Sequence, residues 1–263
     1  MDASGHDQET VIVIPARLNS SRLPRKLLLR ETGQTLLQHT YEAARTANLA
    51  SKVIVATDHR EISTAVRQFG GVATMTDPEA ASGTDRVAEV ARDFQGANII
   101  VNVQGDEPEI SGASIDLSIQ LLNDSPSAVM STLATPIRSR EQLDDPACVK
   151  VVFDEQGRAL YFSRSPIPFA RDWDDAFLTS KKPLFFQHIG LYAYRRKFLL
   201  QLAELSPCQL ENLEKLEQLR VLNAGYTITV GVVEEPSLGI DTPADYRAFV
   251  RRHGQRTMSA KVA

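Results

Sequence analysis

The chain has 263 residues, 43% of them hydrophobic, and a formal net charge of −4, which allows a sizeable hydrophobic core and excludes the basic excess typical of nucleic-acid-binding proteins. Its two cysteines, Cys148 and Cys208, lack the spacing of a zinc site or a disulfide framework. No apolar run is long enough to span a membrane and the polar start lacks a signal-peptide pattern, so we expect a cytoplasmic globular protein that binds no nucleic acid and does not insert into membranes.

The first half of the chain alternates apolar strands with amphipathic helices. Predicted strands cover 11–14, 52–58 and 98–106, and predicted helices cover 35–47, 60–70 and 86–94. The strands lack the inside/outside alternation of a sheet with one solvated face. Because they are interleaved with helices, they predict an α/β fold with a mostly parallel sheet and helices on both faces.

The second half of the chain is richer in strands. A helix at 114–124 precedes predicted strands at 128–137, 149–163 and 188–196, and "DEQG" at 154–157 is typical of a hairpin turn. These features predict a smaller antiparallel region over 128–200. A last strand at 226–233 and a helix that begins near Pro243 follow. Because no repeat, low-complexity tract or long linker divides the sequence, we expect a single domain over 1–263.

A leucine stripe marks the helix-rich segment between the antiparallel region and the last strand. The leucines recur at helical spacing, which predicts one continuous helix face in the core. They are Leu210, Leu213, Leu216 and Leu219. We expect the opposite side of this helix to be solvated, with the side chains of Glu211, Glu214, Glu217 and Gln218.

A basic loop, "PARLNSSRLPRK" at 15–26, directly follows the first strand. It contains Arg17, Arg22, Arg25 and Lys26 together with two serines. Ligands of open parallel sheets bind beyond the carboxyl ends of the strands, where these donors suit a polyphosphate. The alternative is a solvated loop without a ligand. Neither a Walker A motif nor GxGxxG is present, which disfavours a kinase or a dehydrogenase.

Two aspartates are candidates for a metal site. Asp106 ends the strand at 98–106 and should face the same sheet edge as the basic loop. A carboxylate there can hold Mg²⁺ against phosphate oxygens, or it can cap the turn that follows. Asp241 in "GIDTP" has the same two interpretations, because Asp before Thr-Pro is a common arrangement at a helix N-terminus.

Two other residues also have a structural and a functional interpretation. Arg86 ends "ASGTDR" at 81–86, a loop that either approaches a ligand or caps the next helix. His188 lies in an apolar strand, where it either forms a structural hydrogen bond or contacts a ligand. No histidine cluster has metal-site spacing and no GxSxG motif occurs, which favours phosphoryl-centre chemistry driven by a metal and arginines.

Eight segments of the chain carry a resemblance to a known family: "IPARLNSSRLPRK", "VIVATD", "SGTDR", "VNVQGDEP", "ALYFSRSPIPF", "HIGLYAYRR", "LEQLRVL" and "GIDTP". In this order they resemble the 3-deoxy-manno-octulosonate cytidylyltransferases. The resemblance implies a Rossmann-like nucleotidyltransferase fold of the nucleotide-diphospho-sugar transferase type. It also implies transfer of CMP from CTP to 3-deoxy-D-manno-octulosonate (Kdo) with release of pyrophosphate, which activates the sugar for lipopolysaccharide biosynthesis.

The resemblance implies roles for individual residues as well. The CTP-binding residues are Ala16, Arg17, Ser20, Ser21, Lys26, Arg86 and Gln104. The sugar acid is held by Arg22, Arg164, Arg171, His188, Tyr192, Glu217 and Gln218. The catalytic set consists of Arg17, Arg22, Lys26 and the two Mg²⁺ ligands, Asp106 and Asp241. The resemblance also implies a homodimer that forms through the antiparallel region.

One residue departs from the family pattern, and the sugar itself stays open. Arg25 stands where the family commonly has glycine, which predicts a stiffer loop or a further phosphate contact. "LEQLR" and "YFSR" favour an octulosonate, and the alternatives are its 8-amino analogue or a nonulosonic acid of the sialic type. A non-catalytic nucleotide-binding module is a remote alternative, which the presence of both Asp106 and Asp241 disfavours.

Overall fold

The computed structural model describes residues 9–20, 22–80, 82–235 and 237–262. The chain forms two compact units. The first unit comprises Met1–Ile115 and Ser237–Ala263, and the second comprises Asp116–Pro236. The region 128–200 that the sequence sets apart lies within the second unit.

Strands and helices alternate along most of the described chain. The strands are β1 (Glu9–Ala16), β2 (Lys52–Thr57), β3 (Ala73–Met75), β4 (Ala97–Asn102), β5 (Ala128–Pro136), β6 (Lys150–Phe153), β7 (Ala159–Ser163), β8 (Phe186–Arg195) and β9 (Thr227–Val232). The α-helices are α1 (Leu36–Ala44), α2 (Arg60–Gln68), α3 (Gly83–Asp93), α4 (Gly112–Asp124), α5 (Arg140–Asp144), α6 (Ala176–Thr179), α7 (Arg196–Leu202), α8 (Gln209–Glu214), α9 (Gln218–Asn223) and α10 (Pro243–Val262). None of the helices in the described ranges combines the length and hydropathy needed to cross a membrane.

The first unit is built on a parallel sheet in the order β3-β2-β1-β4. The interior of β1 is completely buried, and α1, α2 and α3 pack against the strands. This confirms the predicted α/β architecture, because strands buried on both faces have no reason to alternate apolar and polar residues. Parallel pairing also places the carboxyl ends of β1 and β4 at the same sheet edge, where the basic loop and Asp106 begin.

The second unit contains the antiparallel strands. β8 pairs antiparallel with β5, and β6 pairs antiparallel with β7 through the turn after Phe153. Gly157 in that turn has φ +76°, a left-handed conformation that glycine adopts without steric cost. The hairpin predicted at "DEQG" is therefore confirmed. In contrast to these antiparallel pairs, β9 pairs in parallel with β5.

The prediction of one continuous leucine-striped helix is wrong. Lys215 has φ +55° and ends α8, so α8 and α9 are separate short helices whose faces are not aligned. Leu216 and Leu219 are buried as expected, but Leu210 is 39% exposed and Leu213 is 79% exposed. A single left-handed residue rotates the chain between the second and third leucines and thereby divides the stripe.

Candidate active site

A cavity of about 390 Å³ lies in the first unit, at the carboxyl ends of β1 and β4. The structure brings a large part of the predicted CTP-binding and catalytic set together in its wall. These residues are Arg17, Ser20, Arg22, Lys26, Gln104, Asp106 and Asp241. Asn19 and Gly83 also line it and were not predicted as site residues, although they lie in the basic loop and in "ASGTDR". The cavity is thus lined by cations on the basic loop and by two carboxylates from other segments.

Lys26 connects the two aspartates. Its Nζ atom donates to Asp106 Oδ2 at 2.6 Å, to Asp241 Oδ1 at 3.1 Å and to the Ile240 carbonyl at 2.8 Å. Burial alone would lower the pKa of Lys26, but the two carboxylates outweigh burial and raise the pKa above its ordinary value. The ammonium therefore stays charged and holds two acids, far apart in sequence, around one nitrogen.

The side chain of Asp241 does not cap the helix that follows it. Thr242 Oγ1 accepts from the Asp245 amide, and Asp245 Oδ2 accepts from the Thr242 amide at 2.7 Å, so these two residues cap α10 between them. The carboxylate of Asp241 instead contacts Lys26 and lies 3.1 Å from Arg22 Nη2. Of the two interpretations of "GIDTP", the structure assigns the helix cap to Thr242 and leaves Asp241 in the cavity.

The turn that carries Asp106 is held at several points. The Gly105 carbonyl accepts from Thr40 Oγ1 at 2.9 Å, and the Asp106 carbonyl accepts from the Ile240 amide at 2.9 Å. A Cβ atom on Gly105 would lie 3.0 Å from the Pro15 carbonyl oxygen, so this close approach favours glycine. The Thr40 hydroxyl and the Ile240 amide therefore fix the main chain of the turn, and Lys26 holds the Asp106 carboxylate that extends from it.

Glu107 is buried and differs chemically from Asp106. Burial, reinforced by the neighbouring Asp106 charge, raises the pKa of the Glu107 carboxyl to about 8. Glu107 is therefore mostly protonated at neutral pH, which disfavours it as a metal ligand beside Asp106.

The donor set suits a divalent cation that is bound together with phosphate. Within the described part of the chain, no group of three or more His, Cys, Asp or Glu residues could hold a metal by itself. Mg²⁺ commonly uses one or two protein carboxylates and completes its octahedron with phosphate oxygens and water. Asp106 and Asp241, which share the Lys26 ammonium, supply such a pair.

Arg86 is fully buried and is not among the residues that line the cavity. Its guanidinium donates to Asp58 Oδ2 at 3.0 Å, to Thr76 Oγ1 and to the Asp77 carbonyl. Asp58 directly follows β2 and was not predicted as a partner of Arg86. Ser82 caps α3 in a reciprocal pair with Asp85, which confirms the capping interpretation of "ASGTDR". Contact of Arg86 with cytidine stays a prediction.

Two other predicted nucleotide contacts also stay predictions. Ala16 is the buried last residue of β1 and does not line the cavity. Ser21 lies outside the described residues.

Arg25 adopts the left-handed conformation, with φ +56°. A Cβ atom makes that conformation costly, so glycine would be favoured at this position. The guanidinium forms an ion pair with Glu61 on α2 rather than lining the cavity. Arg25 therefore ties the loop to a helix, which supports the predicted stiffening more than a phosphate contact.

The second unit brings several predicted sugar-binding residues together. Tyr192 Oη lies 3.5 Å from Gln218 Oε1, and the rings of His188 and Tyr192 have centroids 5.5 Å apart. His188 is buried with Nε2 3.0 Å from Thr132 Oγ1, and burial lowers the pKa of its imidazole to about 3. His188 is therefore neutral and can act as a hydrogen-bonding group but not as a base that gains a proton near neutral pH.

The remaining three residues predicted to hold the sugar differ in their surroundings. Arg164 is half-buried and bonded to the backbone and side chain of Glu214. Glu217 lies 3.9 Å from Arg220 Nη2. Arg171 is exposed on the segment between β7 and α6.

Comparison with known proteins places the chain in a family. The model of a family described as cytidylyltransferase matches residues 11–228. The 3-deoxy-manno-octulosonate cytidylyltransferase of Rhodopirellula baltica is 51% identical, over 92% of this chain and 97% of its own. The enzyme of the same name from Geotalea daltonii is 51% identical, over 91% of this chain and 96% of its own.

A solved structure supports the same assignment. A CMP:2-keto-3-deoxy-manno-octonic acid synthetase complexed with CTP superimposes with a TM-score of 0.87 and 40% identity, covering 95% of this chain and all of the other. The parallel sheet, the basic loop and the paired acids thus define a nucleotidyltransferase. Within that class, the chain belongs to the cytidylyltransferase family, in its 3-deoxy-manno-octulosonate branch.

Proposed function

We propose that this enzyme transfers CMP from CTP to Kdo and releases pyrophosphate, activating the sugar for lipopolysaccharide biosynthesis. The observation that carries the proposal is the cluster of Lys26, Asp106 and Asp241 beside the basic loop. The negative oxygens of a polyphosphate need cations around them. The charge that develops on the oxygens of the attacked phosphorus in the transition state must also be stabilised. The cavity supplies both within one unit.

In this proposal the basic loop binds the triphosphate of CTP. Arg17, Arg22 and Lys26 offer charge-assisted donors, and Ser20 adds a hydroxyl. Arg17 Nη2 already donates to the Ala80 carbonyl at 2.9 Å, which orients its guanidinium along the loop. Gln104 provides an amide for the nucleoside. The sugar hydroxyl then attacks the α-phosphorus in line, and pyrophosphate leaves with the electron pair of the broken P–O bond.

Asp106 and Asp241 would hold Mg²⁺ in this reaction. When bound, the ion would neutralise phosphate charge and favour the ionised form of the attacking hydroxyl. The chain itself contributes the fixed direction of both carboxylates, through the Gly105 turn and the cap of α10. Lys26 and Arg22 keep the two acids together, because the Lys26 ammonium bonds to both carboxylates and the Arg22 guanidinium pairs with Asp241.

We propose that residues of the second unit hold the sugar acid. A guanidinium fork suits a carboxylate, and Arg164 provides one. Tyr192 and Gln218 offer polar groups to sugar hydroxyls, while neutral His188 can donate or accept a hydrogen bond. The exposed Arg171 is kept as a second carboxylate-binding candidate. We further propose a homodimer formed through the antiparallel region, working in the cytoplasm.

The test is pyrophosphate release from CTP and Mg²⁺ with a panel of sugar acids: Kdo, its 8-amino analogue and a sialic acid. We expect release with Kdo, and none when the acid is omitted. Release with the sialic acid alone would contradict the proposal. Exclusive use of the 8-amino analogue would keep the reaction class and correct the substrate. CTP binding without turnover of any acid would favour a non-catalytic module.

A further inference from the structure

Glu214, at the end of α8, makes contacts that its place in the sequence does not suggest. Its carboxylate accepts from Ser163 Oγ at 2.6 Å and from the Arg164 amide at 2.9 Å. Its backbone carbonyl accepts from Arg164 Nε at 2.7 Å. One glutamate therefore holds both the main chain and the guanidinium of Arg164.

The backbone of α8 explains why this carbonyl is available. The last carbonyls of a helix have no intrahelical donor, and Lys215 ends the helix directly after Glu214. α8 is fixed at its other end, where Cys208 and Glu211 form a reciprocal cap and Arg220 Nε donates to Glu211 Oε2 at 2.8 Å. Glu214 thus extends from an anchored helix.

A second support holds the other side of the Arg164 guanidinium. Arg164 Nη1 donates to the Pro146 carbonyl at 2.9 Å. The loop that carries Pro146 is held by the fully buried Lys150, whose Nζ donates to the Asp145 carbonyl at 3.0 Å and to the Cys148 carbonyl at 2.7 Å. The two carbonyls on either side of the guanidinium are therefore both set by the fold.

These contacts use Nε and Nη1 of Arg164, and no described residue accepts a hydrogen bond from Nη2. The side chain is half-buried, and Nη2 is not among the buried, unpartnered side-chain atoms of the described residues, which leaves this nitrogen accessible to a ligand. A carboxylate binds a guanidinium in plane through two parallel N–H groups, which demands a fixed orientation of the fork. An arginine held by two carbonyls meets that demand without paying the entropy of ordering at binding.

We propose that Glu214 is a positioning residue for sugar-acid recognition: it fixes Arg164 so that the Nη2 side of the guanidinium is offered to the substrate carboxylate. This inference rests on the proposed function, because it takes Arg164 as a contact of the sugar acid. Glu214 itself touches no substrate in this account and acts through Arg164.

The experiment compares Glu214→Ala, Glu214→Gln, Arg164→Ala and the double variant Arg164→Ala/Glu214→Ala in the full-length enzyme. Glu214→Ala removes the carboxylate that accepts from the Arg164 amide and keeps the Glu214 carbonyl that accepts from Arg164 Nε. Loss of this charge-assisted hydrogen bond frees the Arg164 main chain and is expected to raise the KM for the sugar acid about tenfold or more, while the KM for CTP stays within about twofold. Glu214→Gln should restore much of the loss, since an amide can still accept from the Arg164 main chain. Glu204→Ala, at an exposed position of the same unit, is the matched control.

The double variant separates positioning from a structural role. If Glu214 acts through Arg164, the double variant should be no worse for the sugar acid than Arg164→Ala alone. Fully additive losses, or a rise in both KM values together, would overturn the inference. If Glu214→Ala lowers the melting temperature, its effect on the KM for the sugar acid is still measured in the Arg164→Ala background. A purely structural loss would add to the loss caused by Arg164→Ala. An enzyme that turns over no acid of the panel overturns the proposed function as well, whereas an active wild type with an unchanged Glu214→Ala overturns this inference alone.

Discussion

At the scale of single residues, the site depends on charges whose partners come from distant parts of the chain. The residue types of the basic loop and the two aspartates were readable from the sequence, because strand ends are where ligands of such sheets bind. The sharing of Lys26 between both acids was not readable, since it depends on side-chain geometry. The burial of Arg86 was also hidden, because its partner Asp58 looked like an ordinary residue after a strand.

Asp106→Asn is expected to lower the turnover number by about a hundredfold or more with little change in thermal stability. The substitution keeps the shape of the side chain but removes one of two candidate Mg²⁺ ligands and a charge that balances Lys26. Steady-state pyrophosphate release and thermal melting measure the two effects. Asp93→Asn, at an exposed position on α3, is the control. Near-normal turnover over a range of Mg²⁺ concentrations would contradict the assigned role.

Arg25→Gly is expected to raise the free energy of unfolding by about 0.5–1 kcal/mol, which urea denaturation measures. Glycine adopts φ +56° without the Cβ penalty of about 1–2 kcal/mol, and the greater freedom of the unfolded glycine and the lost Glu61 ion pair offset part of this gain. Glu61→Gln isolates the contribution of the ion pair. A less stable Arg25→Gly variant would mean that the contact with Glu61 outweighs the backbone strain.

At the scale of elements, hydrophobic periodicity predicted β1, β2, β4 and the helices α1 to α3 because buried parallel strands and amphipathic helices have distinct patterns. It missed β3, which has three residues and is too short to show a pattern. It failed at 209–223, where Lys215 adopts a left-handed conformation that no periodicity reports. The break at Lys215 also changes the surroundings of the acidic residues that helical spacing placed on the solvated side. Glu211 and Glu214, expected to be solvated, instead bind Arg220 and Arg164, and Gln218 is buried. Helical spacing describes a face, but it does not show where a helix ends.

Gly112→Ala tests how closely the first turn of α4 packs against Thr46, which lies just after the end of α1. A Cβ atom at Gly112 would lie 2.5 Å from Thr46 Oγ1 and 2.6 Å from the Thr46 carbonyl oxygen, so backbone must move. We expect a loss of about 1–3 kcal/mol in the free energy of unfolding, the usual cost of overpacking.

Gly254→Ala is the matched control for this prediction, because it lies in α10 with nothing within 4 Å of an added Cβ. It should gain about 0.5–1 kcal/mol from helix propensity. Equal effects of the two substitutions would argue against the close contact at Thr46.

At the scale of the whole molecule, the sequence led us to expect a single domain, and the described chain forms two compact units. The second unit runs from Asp116 to Pro236, beyond the region 128–200 that the strand pattern set apart, and it includes β9, which pairs in parallel with β5 after a long helical interruption. Which strands pair is decided by contacts between residues far apart in sequence. A local pattern cannot report them.

Buried His188 makes the stability of the molecule depend on pH. The fold lowers the pKa of His188 to about 3, so below pH 6.5 the unfolded chain takes up a proton that the folded chain does not. This contribution to stability is present above pH 6.5 and is lost as the pH falls. From pH 7 to pH 5 the loss amounts to about 2 kcal/mol.

The measurement is urea denaturation of the wild type and His188→Gln at pH 7 and pH 5. The stability difference between the two proteins should change by about 2 kcal/mol between these pH values, in favour of the variant at pH 5. Other titrating groups, including Glu107, are common to both proteins and cancel in the comparison. Parallel pH profiles would show that the fold does not hold His188 neutral.

The assembly of the first unit from two separate stretches also concerns the order in which a ribosome makes the chain. Lys26 and Asp106 are synthesised early, and Asp241 emerges only after the whole second unit, which lies between them in sequence. The amide of Ile240 that bonds the Asp106 carbonyl arrives at the same late moment. A chain that stops before residue 237 would therefore carry the basic loop and one acid but no acid pair, so the acid pair can form only in a chain whose translation has passed Asp241.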